Sequence, residues 1–235
     1  MSNVLRNATL SFLDKNPDYE YMFFDDHDAT ELVYKFSQDS RKVIATCYDN
    51  VKPGAYKSDI FRLCALYIFG GIYLDNKVVC LCPLKDYLPK AKVRENTPWF
   101  GAGVDFDRRY ILNGIMMSTK QNPFILDYIS TIVENIKGKK IGRCPLDVTG
   151  PGTFGATLNT LLSRDIENPF LDGEEYVTPE SGIVETIICW DRSNPISRSH
   201  FGSPKLTSSE NSDIHVIMFR AGNYVQMWEK GDLWN

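Results

Sequence analysis

Two adjacent glycines divide the most apolar part of this chain into two kinds of structure. The longest mainly apolar stretch, Cys64 to Leu74, is only eleven residues long, and Gly70-Gly71 fall inside it. Glycine is a poor helix-interior residue and a common helix stop, so the segments on either side of the pair cannot form one helix. Ahead of it, residues 55–69 are predicted helical and carry Lys57-Ser58-Asp59-Ile60-Phe61-Arg62. Behind it, Ile72-Tyr73-Leu74-Asp75 is rich in β-favouring side chains and ends on a carboxylate. A strand is predicted over 71–81, closed by Pro83. Asp59 and Arg62 lie three residues apart, which sets an acid and a base on one helix face, one turn apart. A buried helix feeding a strand that delivers a charge is how α/β folds present charged groups to a cleft. The chemistry is therefore expected around Asp75-Asn76-Lys77.

The remaining pattern supports the same class. Residues 3–14 have apolar side chains at helical spacing and stop before Asn16-Pro17. Residues 19–24 read as a short strand ending in Asp25-Asp26, with Asp28 capping a helix through Phe36 and Glu31 completing a capping-box pattern. Strands are predicted over 99–104 and 110–118, joined by a loop with Asp105, Asp107, Arg108 and Arg109. A helix is predicted over 123–137, opened by Pro123. The turn Thr149-Gly150-Pro151-Gly152 opens another over 153–162. From Asn168 onward, short strand-like pieces (176–178, 214–220) alternate with Gly, Pro and Ser clusters, so 168–235 reads as a covering or lid region of one domain spanning 1–235. Helices alternate with strands in the first half, which predicts α/β with a mixed, partly parallel sheet flanked by helices.

Composition excludes several function classes. At 235 residues and 43% hydrophobic, the chain can bury a sizeable core. A net charge of −4 with interspersed signs gives no basic stripe, so no nucleic-acid partner is expected. No apolar run is long enough for a transmembrane segment, and the first sixteen residues lack the apolar run of a secretory signal. The expected setting is cytoplasmic, or the soluble catalytic part of a longer membrane-anchored protein. Six cysteines, Cys47, Cys64, Cys80, Cys82, Cys144 and Cys189, have no metal or redox spacing and read as free thiols. The Asn7-Ala8-Thr9 sequon reads as a chance match.

The segments NPDYEYMFFDD, AYKSDIFRLCALYIFGGIYLDNKVVCLCPL and VTGPGTFGATLN, in that order, resemble the sugar-binding D-x-D enzymes of glycosyltransferase family 32. That family includes fungal initiating mannosyltransferases and is related to glucosylating toxins. The resemblance implies a GT-A-like fold, Rossmann-related, working in glycan biosynthesis. It further implies a retaining hexosyltransferase that moves a hexose from a UDP- or GDP-hexose donor to a hydroxyl on a glycan, lipid or protein acceptor. By position, Asp59 and Arg62 match the pair that grips donor hydroxyls. Tyr73 and Asp75 match the strand end beside ribose and diphosphate. Asn113 and Gly114 match the lining of the sugar pocket, and Gly150 and Pro151 the turn near it. Such assignments suit the residue types, because carboxylate and guanidinium make directional, charge-assisted bonds to vicinal hydroxyls. Spacing alone is equally met by an Asp59–Arg62 ion pair.

The chain departs from the family pattern in three places. The second carboxylate of D-x-D, which holds Mn²⁺ or Mg²⁺ on the diphosphate, is replaced by Lys77, leaving Asp75 as the one metal ligand of the motif. The His expected near the C-terminus is missing from Phe219-Arg220-Ala221-Gly222-Asn223-Tyr224, with His215 four residues upstream of Phe219. The usual opening strand is absent ahead of the first helix. Lys77 with Arg220 could replace the metal at the leaving diphosphate, or a metal could still bind through Asp75. The same departures fit a non-catalytic nucleotide-sugar or carbohydrate-binding module. Asp25-Asp26-His27-Asp28 is open to a metal reading or a helix-cap reading, and Trp228 and Trp234 to closing over the donor or packing the tail. His200 has no evident partner, and no residue is assigned as a catalytic nucleophile.

Overall fold

A computed structural model describes residues 3–38, 42–75, 78–80, 83–84, 97–104, 108–171, 173–179, 181–186, 201–202 and 223–235. Four helices come first: α1 (Asn3–Lys15), α2 (Asp26–Phe36), α3 (Lys42–Asn50) and α4 (Gly54–Phe69). Strands β1 (Gly71–Leu74), β2 (Val79–Cys80), β3 (Trp99–Val104) and β4 (Ile111–Ser118) come next, then α5 (Pro123–Lys137), a 3₁₀ turn (Pro145–Asp147) and α6 (Pro151–Leu161). The described residues close with β5 (Glu175–Thr178), β6 (Gly182–Thr186), β7 (Phe201–Gly202) and α7 (Asn223–Glu229). The central sheet runs β1-β4-β3-β6-β5, parallel at β3–β6 and antiparallel elsewhere, while β2 pairs with β7 in a separate ribbon. This is the mixed α/β architecture expected from the sequence.

The glycine pair performs the break that its position predicts. Gly70 and Gly71 have φ of 68° and 84°, a region that other residues enter at a cost. A Cβ on Gly70 would also stand 2.8 Å from the Lys120 backbone nitrogen. The chain thus leaves α4 and enters β1 within two residues. α5 forms where expected: Asn122 caps the Phe124 amide, Pro123 opens the first turn, and Phe124, Ile125, Tyr128, Ile129, Ile132, Val133 and Ile136 are all buried.

Strand alternation places an apolar layer on each face of the sheet. Phe100, Ala102 and Met116 join the main core with α4, α5 and α6, where Phe100, Phe124, Tyr128 and Phe154 form a ring cluster at 4.8 to 6.5 Å. Trp99, Ile115, Met117 and Ile183 face the other way, onto Phe12, Cys80 and Leu84. Close approach behind the sheet depends on Gly155, where a Cβ would fall 2.2 Å from the Arg109 carbonyl oxygen. Gly155→Ala is expected to cost about 1–3 kcal/mol, because neither backbone can yield without shifting α6. Gly54→Ala, where a Cβ meets nothing within 4 Å, should leave the thermal midpoint unchanged or raise it. Equal midpoints for the two variants would contradict the close-packing argument.

Several expectations need correction. Residues 19–24 are not a strand: they run without regular structure outside the sheet, with Tyr19, Tyr21, Met22 and Phe23 exposed. Their β-favouring side chains find no strand edge among the described residues, and only Phe24 turns inward, edge-on to Phe61 at 5.3 Å. α2 begins one turn earlier than predicted. Asp25 accepts from the His27 and Asp28 amides while Asp28 accepts from the Asp25 amide, so the capping box is Asp25–Asp28. The strand over 71–81 is interrupted after Leu74. The Asp75 amide still donates to the Gly114 carbonyl at 2.8 Å, but Val78 then turns back to the Asp75 carbonyl, and Val79–Cys80 pairs elsewhere. β5 and β6 lie within 168–235, expected to be a covering region, yet they are strands of the central sheet. Cys47, Cys64 and Cys80 are buried free thiols and Cys144 is a partly exposed one. Cys82, Cys189 and the strand piece at 214–220 lie outside the described residues. Among the described residues, no helix is long and apolar enough to cross a membrane.

Candidate active site

The helix–strand junction brings Asp59, Arg62 and Asp75 together. Asp59 and Arg62 are buried on the inner face of α4, and Asp75 comes directly after the last residue of β1. The Arg62 guanidinium bridges the two carboxylates: Nη2 lies 3.2 Å from Asp59 Oδ1 and Nη1 lies 3.5 Å from Asp75 Oδ1. Two further donors go to backbone, Nε to the Ser58 carbonyl at 3.1 Å and Nη1 to the Asn113 carbonyl. A planar fork with five N–H donors can serve four acceptors in this way, and a lysine could not. The Tyr73 ring stacks on the guanidinium, with Cζ 4.9 Å from the ring centre, and its hydroxyl donates to Asp75 Oδ1 at 3.1 Å. Of the three charged side chains Asp75 is the most open, 23% exposed against 10% for Asp59 and 8% for Arg62.

β4 and the turn before α6 complete the surroundings. Asn113 donates its amide to Asp59 Oδ1 at 2.8 Å, and Thr149 donates its hydroxyl to Asp59 Oδ2 at 2.6 Å. Gly114 lies against Asp75, where a Cβ would stand 3.1 Å from Oδ2. Gly150 lies against Asp59, where a Cβ would stand 3.4 Å from Oδ2, and Pro151 opens α6 directly behind it. Both glycines therefore keep backbone, not side chain, beside a carboxylate. Of the residues expected at the site, Asp59, Arg62, Tyr73, Asp75, Asn113, Gly114 and Gly150 converge, with Pro151 adjoining.

Burial pushes the Asp59 carboxyl above its ordinary range, opposed by the Arg62 charge and the Thr149 and Asn113 donors. Burial also works against the Arg62 charge, but Tyr73, Asp59 and Asp75 outweigh it and hold the guanidinium firmly protonated. The Tyr73 phenol is pushed up by burial, with Arg62 opposing and Asp75 reinforcing, so it remains a donor. One cation between two anions gives a cluster that carries charge into the interior while keeping each group hydrogen-bonded.

Other expected residues are placed elsewhere. The Trp228 indole N–H donates to the Ile141 carbonyl at 2.6 Å and its ring packs on the main core. Trp234 bridges to Val51 and packs on the same core. Lys77, Arg220, His200 and His215 lie outside the described residues. Asp25, His27 and Asp28 bring ligand atoms within 4.8 Å of one another, but all three are exposed and the capping box accounts for both carboxylates. A cavity of about 380 Å³ beside α2, lined by Met22, Phe23, Phe24, Glu31 and Lys35 among others, does not include the Asp59–Arg62–Asp75 cluster.

Four residues near the cluster were given no place in it by the sequence: Thr149, Tyr128, Tyr56 and Tyr224. Tyr128 donates to the Thr149 and Gly150 carbonyls at 3.0 and 2.9 Å, and Tyr56 to the Pro145 carbonyl at 3.0 Å. Tyr224 stacks obliquely on Tyr56 at 6.3 Å, and its phenol is raised by burial and then by the charge of Asp59.

Residues 2–94 match the family model described as the glycosyltransferase sugar-binding region containing the DXD motif. Over 128 residues the chain is 32% identical to inositol phosphoceramide mannosyltransferase 3 of Schizosaccharomyces pombe, covering 53% of this chain and 32% of that protein. Over 183 residues it is 22% identical to the initiation-specific alpha-1,6-mannosyltransferase of Candida albicans, covering 66% of this chain and 47% of that one. The chain thus spans less than half the length of these relatives. Among solved structures it is similar to the PaToxG glycosyltransferase, with a TM-score of 0.45 and 19% identity over 68% of this chain and 63% of the other. The sequence matches agree with one another: residues 2–94, the stretch that contains Asp59, Arg62, Tyr73 and Asp75, are similar to the glycosyltransferase sugar-binding region of the DXD class, with lysine at the position of the second aspartate.

Proposed function

We propose that this chain is a retaining hexosyltransferase, transferring a hexose from a nucleotide-sugar donor to a hydroxyl of a glycan, lipid or protein acceptor. The observation that supports this most is the Arg62 bridge: one buried guanidinium joins a helix carboxylate to the carboxylate at a strand end, within the sugar-binding region. In this reading Asp59 and Arg62 orient the sugar, with Asn113, Gly114, Gly150 and Pro151 around it. Asp75 and Tyr73 face the ribose and diphosphate. Because both relatives are mannosyltransferases, GDP-mannose is the first donor to test, with UDP-glucose beside it. Release of GDP from GDP-mannose, with the anomeric configuration of the product read by NMR, tests the reading. The replacement of the second aspartate by Lys77 favours one alternative, a non-catalytic binding module, which would bind donor and release no nucleotide.

The cluster fits a divalent cation held by one carboxylate. Asp75 Oδ1 takes the Tyr73 hydroxyl, while Oδ2 lies along the Gly114 backbone in a space that a Cβ would fill. Mg²⁺ and Mn²⁺ are commonly held by one or two carboxylates together with substrate phosphate oxygens. When bound, the ion would neutralise charge on the departing diphosphate. Excess EDTA is expected to lower GDP release by at least about tenfold, with Mn²⁺ restoring it. Unchanged turnover in EDTA would instead assign that charge to Lys77 and Arg220.

A further inference from the structure

We infer that Thr149, suspended from α5 by Tyr128 and Asn135, is the positioning residue that sets the Asp59 carboxylate for the donor sugar; this rests on the hexosyltransferase reading above. Thr149 is fully buried, yet its hydroxyl is not spent on its own backbone. It donates to Asp59 Oδ2 at 2.6 Å across ninety residues of sequence. Oδ1 receives Asn113 at 2.8 Å and Arg62 at 3.2 Å. Donors from β4 and α4 thus act on one oxygen, and Thr149 is the one described donor on the other. A carboxylate held at both oxygens cannot rotate about its last bond, and that rotation sets where Asp59 and the Arg62 fork beside it can meet hydroxyls.

The turn that carries Thr149 is itself fixed from a single helix face. Three consecutive carbonyls, those of Val148, Thr149 and Gly150, accept from α5. Asn135 donates to the first at 2.9 Å, and the Tyr128 hydroxyl donates to the other two at 3.0 and 2.9 Å. Tyr128 and Asn135 are seven residues apart, two helical turns, and so share that face. Burial, and then the charge of Asp59, raise the Tyr128 phenol well above its ordinary value, which keeps it a donor. α5 therefore acts on Asp59 through Thr149 without touching the sugar.

Thr149→Val keeps the shape and removes the donor, whereas Thr149→Ser keeps the donor and removes a buried methyl. Steady-state release of GDP from GDP-mannose is expected to lose about 10–100-fold in kcat for T149V, with the donor KM moving less than about threefold, because orientation fails more than binding. T149S should stay within about threefold of wild type in kcat, with its thermal midpoint lowered by the loss of a buried methyl. A purely structural role predicts that activity follows the midpoint, so T149S no better than T149V would overturn the inference. Tyr128→Phe retains the ring packing and releases the turn; it should lose about 3–10-fold in kcat while remaining folded, and it carries the test if T149V does not fold. Wild-type kcat in folded Y128F would overturn the suspension from α5. No GDP release by wild type, or full release by Asp75→Ala, ends the hexosyltransferase reading and this inference with it. Normal wild-type turnover with T149V and T149S alike ends this inference alone.

Discussion

Replacing Asp75 by alanine is expected to reduce the proposed hexose transfer by on the order of 10²–10³-fold while the protein stays folded. Asp75 is the most open acid of the cluster, and it is held in place by its neighbours more than it holds them. Its amide bond to the Gly114 carbonyl belongs to the backbone and survives the substitution. Arg62 keeps Asp59 at 3.2 Å and the Ser58 and Asn113 carbonyls, so no buried charge is stranded. Tyr73 loses the acceptor of its hydroxyl, a modest cost for a phenol beside an open position. What the variant lacks is the carboxylate that the proposed reading sets towards the diphosphate, the ribose or a cation. Asp75→Asn refines the test, since it preserves shape and hydrogen bonding but not charge. If the charge holds a cation, Asn should be nearly as impaired as Ala; if the carboxylate only accepts hydroxyl hydrogen bonds, Asn should recover part of the rate. Turnover numbers read beside thermal midpoints check both. An Asp75→Ala protein with full activity would contradict the placement of the active site.

The features legible in the sequence were those written in local spacing. The buried stripe from Phe124 to Ile136, with Pro123 before it, specified α5, and Gly70-Gly71 specified the join between α4 and β1. Asp59 and Arg62 declared their shared face through a separation of three. α3 went unread because Ile44, Cys47 and Tyr48, its three buried positions, are too few to stand out in a nine-residue segment. Residues 19–24 misled for the opposite reason: their side chains favour a strand, but strand formation depends on a partner edge that local sequence does not encode. The break after Leu74 likewise depends on where β4 ends its pairing. Long-range contacts were silent. Nothing near Thr149 announces Asp59, and nothing near Tyr128 announces a turn twenty residues on. Such contacts exist only once α4, β4 and α5 have packed, so the acids were readable and the residues that hold them were not.

Arg62→Met is expected to destabilise the fold by about 3–5 kcal/mol at neutral pH. The substitution strands Asp59, whose carboxylate remains buried with Asn113 and Thr149 but without a cation. Arg62→Lys should recover little of this, because one ammonium cannot reach Asp59, Asp75 and the Ser58 and Asn113 carbonyls at once. Removing both charges should cost less than removing one: the Asp59→Asn/Arg62→Met double variant is expected to be more stable than Arg62→Met alone. A double-mutant cycle in urea measures the difference. The deficit of Arg62→Met should also depend on pH in a defined direction. Burial already lifts the Asp59 carboxyl above its ordinary value of 3.8, and Arg62 is the strongest influence opposing that rise. Without Arg62 the folded carboxyl binds its proton more tightly still, while the unfolded chain is unchanged. A folded value above the unfolded one favours the folded state as protons bind, so the deficit relative to wild type should shrink as pH falls through that raised value towards 3.8. A variant as stable as wild type at pH 7, or a deficit that does not change on acidification, would mean that Asp59 does not depend on the guanidinium, and the cluster would lose the electrostatic role assigned to it.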